Sequence, residues 1–145
     1  MASQVIENRA KADLSKAMRD GWMRRFAHWL TRKNDNLLSF NEICATLGRK
    51  SRHDAGVRMV PINHIIGSLG RCHEFDRAFY PRKVEQPGRW LRIAMAYYQD
   101  VCLPPVDLYK VGDTYFVVDG NHRISVARTH GQLFIDAHVT EIDAA

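Results

Sequence analysis

The sequence predicts an α+β fold, a small mixed sheet with helices, preceded by a long amphipathic helix at the N-terminus. Three observations lead there. Residues 4–32 carry apolar side chains at helical spacing; beyond residue 57, short β-branched and aromatic runs alternate with helical ones; and a run of aromatic and valine residues stops at Asp119-Gly120 and restarts as a helix. Strands and helices interspersed along 145 residues suit one sheet with helices packed on it. The expected division is a basic helical extension over 1–56 and a sheet-bearing domain over 57–145.

In the helix expected over 4–32, Leu14, Met18, Trp22, Phe26, Trp29 and Leu30 form one apolar stripe, while Arg9, Lys11, Lys16, Arg19, Arg24, Arg25 and Arg32 occupy other faces. The stripe can pack on the following domain or on a second copy, giving a homodimer. The basic face can instead meet nucleic acid, and a membrane-surface helix is disfavoured by Glu7, Asp13 and Asp20. Gly21 is a candidate bend. Asn34-Asp35-Asn36 is a turn, and Ser39 with Glu42 forms a capping box for a short helix to Leu47, ended by Gly48. Residues 49–56 read as a polar, basic loop. Val57–Val60 is a strand, and Pro61 starts a helical turn through Ile62, Ile65 and Ile66.

Gly67 to Arg77 follows as a loop of mixed chemistry. It is either a surface loop with satisfied polar groups or, through Gly70 and Arg71, a second phosphate-contacting turn, with Glu74 and Asp76 able to hold magnesium or take a proton. A zinc site from Cys72, His73 and His64 or His122 has no supporting spacing. A helix over 89–99, a hairpin of 106–110 with 114–118, a helix to about His130 with Gly131 after it, and a strand over 134–142 complete the chain.

Composition excludes several classes. Apolar residues make 46% of the chain and charged residues 26%, and no run is long and apolar enough to span a bilayer, so no membrane partner is expected. The N-terminus has no basic-then-apolar order, and three widely spaced cysteines suit reduced thiols, which together predict a cytoplasmic address. The formal charge of +5 is uneven: residues 1–58 hold 12 Lys/Arg against 6 Asp/Glu, residues 59–145 hold 9 against 10. A nucleic-acid reading therefore belongs to the N-terminal part.

The chemistry concentrates at Asp119-Gly120-Asn121-His122-Arg123. A helix that starts after Gly120 presents unsatisfied N–H groups and the positive end of its dipole, and Arg123, Asn121 and His122 can add donors to an anion there. A capped strand-to-helix turn with no ligand is the plainer reading of the same residues.

The run L-P-P-V-D-L-Y-K-V-G-D-T-Y-F-V-V-D-G-N-H-R-I-S-V-A-R-T-H-G, with V-P-I-N-H-I-I-G-S-L-G-R upstream, resembles the ParB/sulfiredoxin superfamily over roughly residues 57–142. The resemblance implies a small mixed sheet with helices and a nucleotide, ATP or CTP with Mg²⁺, at the helix after Gly120. Sulfiredoxins have G-G-C-H-R here, and Asn121 stands where their reactive cysteine would be; an amide is no thiolate, so that activity is not expected. ParB proteins have a G-E-R-R-like turn, bind CTP and use a further arginine, for which Arg71 is the candidate. They continue into helix-turn-helix and dimer domains, which this sequence does not carry. Free serine kinases have a D-G-H-H-R-like turn, similar to that of this chain except at Asn121. That likeness implies NTP hydrolysis or phosphoryl transfer, with Gly120, Asn121, His122 and Arg123 on the nucleotide beside Arg71, and Asp119 orienting the site or binding metal; Glu74 or Asp76 is the expected base from its place in the loop alone. The alternative function is a non-catalytic regulator that uses the basic N-terminal helix to bind DNA or a protein.

Overall fold

A computed structural model describes residues 2–47, 50–70, 73–82 and 87–144. The elements run α1 (Ala2–Leu30), β1 (Leu38–Ser39), α2 (Phe40–Leu47), β2 (Lys50–Pro61), a 3₁₀ turn (Ile62–His64), β3 (Ile65–Ser68), α3 (Pro87–Tyr98), β4 (Val106–Val111), β5 (Thr114–Asp119), α4 (Asn121–Thr129) and β6 (Phe134–Ala144). Six strands form one mixed sheet in the order β1-β3-β5-β4-β6-β2. The β4–β5 hairpin and the β6–β2 pair are antiparallel; the other neighbours are parallel.

Alternation along the strands sends Tyr115 and Val117 to the main core, where they join Leu108, Val139, Trp90 and Ile124, and sends Phe116 to a smaller core with Phe40, Cys44 and Ile142. Residues of α1, α3 and α4 lie in the first cluster and those of α2 in the second. A hydrogen bond of 2.9 Å from Trp90 Nε1 to Ser125 Oγ ties α3 to α4 within the buried layer. Gly67 is required where β3 passes β1: a Cβ there would stand 2.4 Å from the Leu38 carbonyl oxygen and 2.5 Å from the Phe116 ring.

Two expectations change. Lys50 to Gly56, read as a basic loop, is the first half of β2 and pairs with the end of β6 from Lys50 opposite Ala144. The polar side chains misled because β2 is an edge strand with exposed faces, so no apolar alternation is needed. Its irregularity falls between Asp54 and Val57, where Gly56 takes a positive φ of 75° and donates its N–H to Asp54 Oδ1. The strand therefore runs through the boundary expected at 56/57. Ile65 and Ile66, expected in a helical turn, belong to β3, which pairs in parallel with β5. Gly48 and Arg49, at the expected helix end, lie outside the described residues.

The face of α1 that packs also differs from the apolar stripe. Ala10, Ala17 and Gly21 are buried, and Leu14 packs against the core, whereas Trp22, Phe26, Trp29 and Leu30 are exposed. Small residues seven and four apart share one face and let the helix sit close: a Cβ on Gly21 would stand 2.7 Å from Tyr80 Cβ, and the helix runs through this position unbroken. Charge anchors the same side. Arg24 Nη1 donates to Asp35 Oδ1 at 2.7 Å and Arg25 Nη1 to Asp76 Oδ2 at 3.1 Å, while His28 also contacts Asp35. Among the described residues no helix is long and apolar enough to cross a membrane.

Candidate functional site

The β5–α4 turn forms because Gly120 can take φ +116°, a value other residues adopt only with strain. Space makes the same demand, since a Cβ on Gly120 would lie 2.5 Å from Val106 Cγ1. The Ile124 N–H then closes the first turn of α4 onto the Gly120 carbonyl at 3.0 Å. Backbone N–H groups of a helix's first turn have no carbonyl a turn earlier and carry the positive end of its dipole.

The turn borders a pocket of about 330 Å³ lined by Gly70, Arg89, Val118, Ile93 and the five residues Asp119 to Arg123. Arg123 donates from Nη1 to the carbonyls of Pro104, at 2.8 Å, and Pro105, at 3.2 Å. Its Nη2 pairs with Asp119 Oδ2 at 3.2 Å, which holds the guanidinium as a strut across the wall; the Asp119 side chain is itself largely exposed. His122 is buried, its ring set edge-on to Phe75 at 5.3 Å. Asn121 is 8% exposed, its Nδ2 lies 3.5 Å from the Gly70 carbonyl oxygen, and its buried Oδ1 has no hydrogen-bond partner among the described residues. A buried acceptor without a donor costs about 1–3 kcal/mol, a penalty that a donor from a ligand would remove.

Arg123 and Ile93 also belong to an adjoining recess of about 200 Å³, walled further by Tyr97, Leu103, Pro104 and Val106. A polar cradle and a largely apolar recess thus share one arginine.

The other residues singled out in the sequence are placed differently. Asp76 is fully buried and does not line the pocket; its Oδ1 accepts the N–H groups of Ala78, at 2.9 Å, and Tyr80, at 3.0 Å, and its Oδ2 takes Arg25. With both oxygens engaged, this carboxylate organises the loop against α1. Glu74 is buried as well and lies outside the pocket lining. Arg71, and Cys72 of the zinc reading, lie outside the described residues, although the neighbouring Gly70 reaches the pocket. Among the described residues no three His, Cys, Asp or Glu side chains are grouped to hold a metal ion.

Arg89 was missed by the sequence reading. It is the third residue of α3, after Pro87-Gly88, is exposed, and lines the pocket together with the α4 turn. The available signal was its position in the first turn of a helix, but nothing local indicated that this turn faces the other.

The sequence matches no protein-family model and no curated protein. Among solved structures, the chain is similar to sulfiredoxin from Arabidopsis thaliana, at 18% identity and a TM-score of 0.44, covering 57% of this chain and 82% of that one.

Proposed function

We propose that the chain is a phosphate-binding domain of the ParB/sulfiredoxin superfamily that holds a nucleotide, ATP or CTP, at the N-terminus of α4. One observation carries the reading: the start of a nine-residue helix, two arginines and the buried Oδ1 of Asn121, unpartnered among the described residues, meet at one pocket. Phosphate oxygens suit Arg89, Arg123 and the first-turn amides. Phosphate has no donor for Asn121 Oδ1, whereas a hydroxyl of the sugar does. The apolar recess beyond Arg123 suits a nucleobase. The residues also fit magnesium in its usual mode with nucleotides, one carboxylate with the phosphates supplying most ligands; Asp119 is the carboxylate in the pocket lining. Binding is the core of the proposal, and hydrolysis or transfer is its extension, with Asp119 as the acid group beside the cradle.

Thermal denaturation with ATP, ADP and CTP, each with magnesium, tests it. A ligand at about 100 times its Kd stabilises by about 2.7 kcal/mol. Arg123→Ala is expected to abolish the response, and Arg89→Ala to weaken it about tenfold with little effect on the unliganded protein, since Arg89 is exposed. No stabilisation by any of the three, or an unchanged response in Arg123→Ala, overturns the assignment.

A further inference from the structure

The row of rings on α1 is left uncovered by the fold. Trp22, Phe26 and Trp29 are 60%, 47% and 71% exposed. Trp22 and Phe26 stack at 5.4 Å with 8° between planes, and Phe26 and Trp29 at 6.1 Å with 29°. Cations bracket the row. Arg19 is exposed three residues before Trp22, on the same helical face, and beyond Leu30 the chain turns so that Arg32, Lys33, Asn34 and Trp29 line an open concavity of about 550 Å³. No carboxylate lines that concavity. The nearby acids are otherwise placed: Asp20, two residues before Trp22, falls on the far side of the helix, Asp13 contacts Tyr98, and Glu7 pairs with Lys11.

Charge decides the occupant. In an antiparallel pair of α1 helices centred on Phe26, Arg19 of one copy would meet the Arg32–Lys33 turn of the other; in a parallel pair each cation would meet itself. Both arrangements repel. A bilayer would take the rings but would draw Arg19, which shares their face, towards the acyl region. An anion with flat faces meets neither objection. We propose that this face binds single-stranded nucleic acid, with bases stacking on Trp22 and Trp29 and phosphates on Arg19, Arg32 and Lys33. Base–aromatic stacking tolerates any sequence and fails on a duplex, whose bases are already stacked within it.

The test is fluorescence anisotropy of a labelled oligothymidylate with the full chain at low salt, beside a duplex of equal length. The expected result is binding to the single strand, weaker binding to the duplex, and affinity that falls steeply with salt. Trp22→Ala and Trp29→Ala should each lower affinity about tenfold while melting as the wild type does and keeping its response to ATP. Equal affinity for the duplex, with the alanine variants unchanged, overturns the proposal in favour of contact with backbone phosphates alone. Binding to phosphatidylserine vesicles with none to the oligonucleotide overturns it in favour of a lipid surface. A dimer that dissociates in Trp22→Ala, again with no oligonucleotide binding, assigns the face to a second copy.

Discussion

The β5–α4 turn and the segment from Glu74 to Arg82 look alike in sequence, both dense in charged residues, yet the fold uses them differently. In the turn, polar groups converge on a pocket, and one of them, Asn121 Oδ1, lacks a partner among the described residues. In the segment most are consumed, although the buried Arg82 Nε also has no hydrogen-bond partner among the described residues. Asp76 satisfies two backbone N–H groups and Arg25, Arg77 donates from Nε to the Asn36 carbonyl at 2.9 Å, and Arg82 donates from Nη2 to the Asp35 carbonyl and Asn36 Oδ1, both at 3.1 Å. A charged loop residue therefore says little about chemistry until its partners on other elements are known. A helix start with a spatially forced glycine says more, because its electrostatics come from its own backbone.

The contrast breaks most visibly at Asp76. Asp76→Ala leaves Arg25, and Arg24 at 3.8 Å, facing an uncompensated buried site, and is expected to cost about 3 kcal/mol in urea denaturation, while what folds keeps its ATP response. A stable Asp76→Ala protein that had lost nucleotide binding would return Asp76 to the site. Gly120→Ala puts a side chain at φ +116° against Val106 and is expected to cost about 2 kcal/mol. Here stability and ligand response should fall together, because the same backbone shapes the cradle; a full ATP response in this variant would separate them.

The smallest effect lies at the other end of α4. His130 packs against Tyr97 and Tyr98, with its Nε2 3.1 Å from Asp13 Oδ2 but not aligned for a hydrogen bond. Burial lowers its pKa from 6.5; Asp13 pulls the other way, and Lys16 adds to the lowering. The neighbouring Tyr98 hydroxyl is pushed up to about 12 by burial and by its hydrogen bond to Asp13. Because the folded state favours neutral His130, the unfolded chain binds more protons as pH falls below about 6.5, so this group's contribution is complete above that pH and is lost through the folded pKa. His130→Asn should flatten this part of the stability–pH curve and leave the α4 turn untouched. An unchanged slope would assign the acid sensitivity elsewhere.

Much of the C-terminal half was legible. The hairpin announced itself by the Val111-Gly112-Asp113 turn between two β-rich runs, and the start and end of α4 by Gly120 and Gly131, which take φ +116° and +76°. What failed was long-range. The polar half of β2 became a strand only because β6 offered a partner 86 to 94 positions later in the chain. In α1 the aromatic residues matched the usual core stripe, but the helix packed on Ala10, Ala17 and Gly21, where small size permits close approach and Arg24 and Arg25 reach buried carboxylates. That alternative was present in the spacing, hidden because alanine and glycine carry little apolar weight. Arg89 escaped for a related reason: it is an ordinary surface residue of its own helix and gains meaning only from what lies opposite.

The sequence by itself determined the succession of elements in the second half and the place where an anion-friendly helix begins, because turns, caps and backbone dipoles are set within a few residues. Tertiary structure decided which charges remain available to a ligand and which hold the fold, which face of α1 is buried, and that Arg89 and Arg123 share a pocket. Those outcomes depend on partners brought together by packing, and the energy of a charge is fixed by its surroundings more than by its neighbours in the chain.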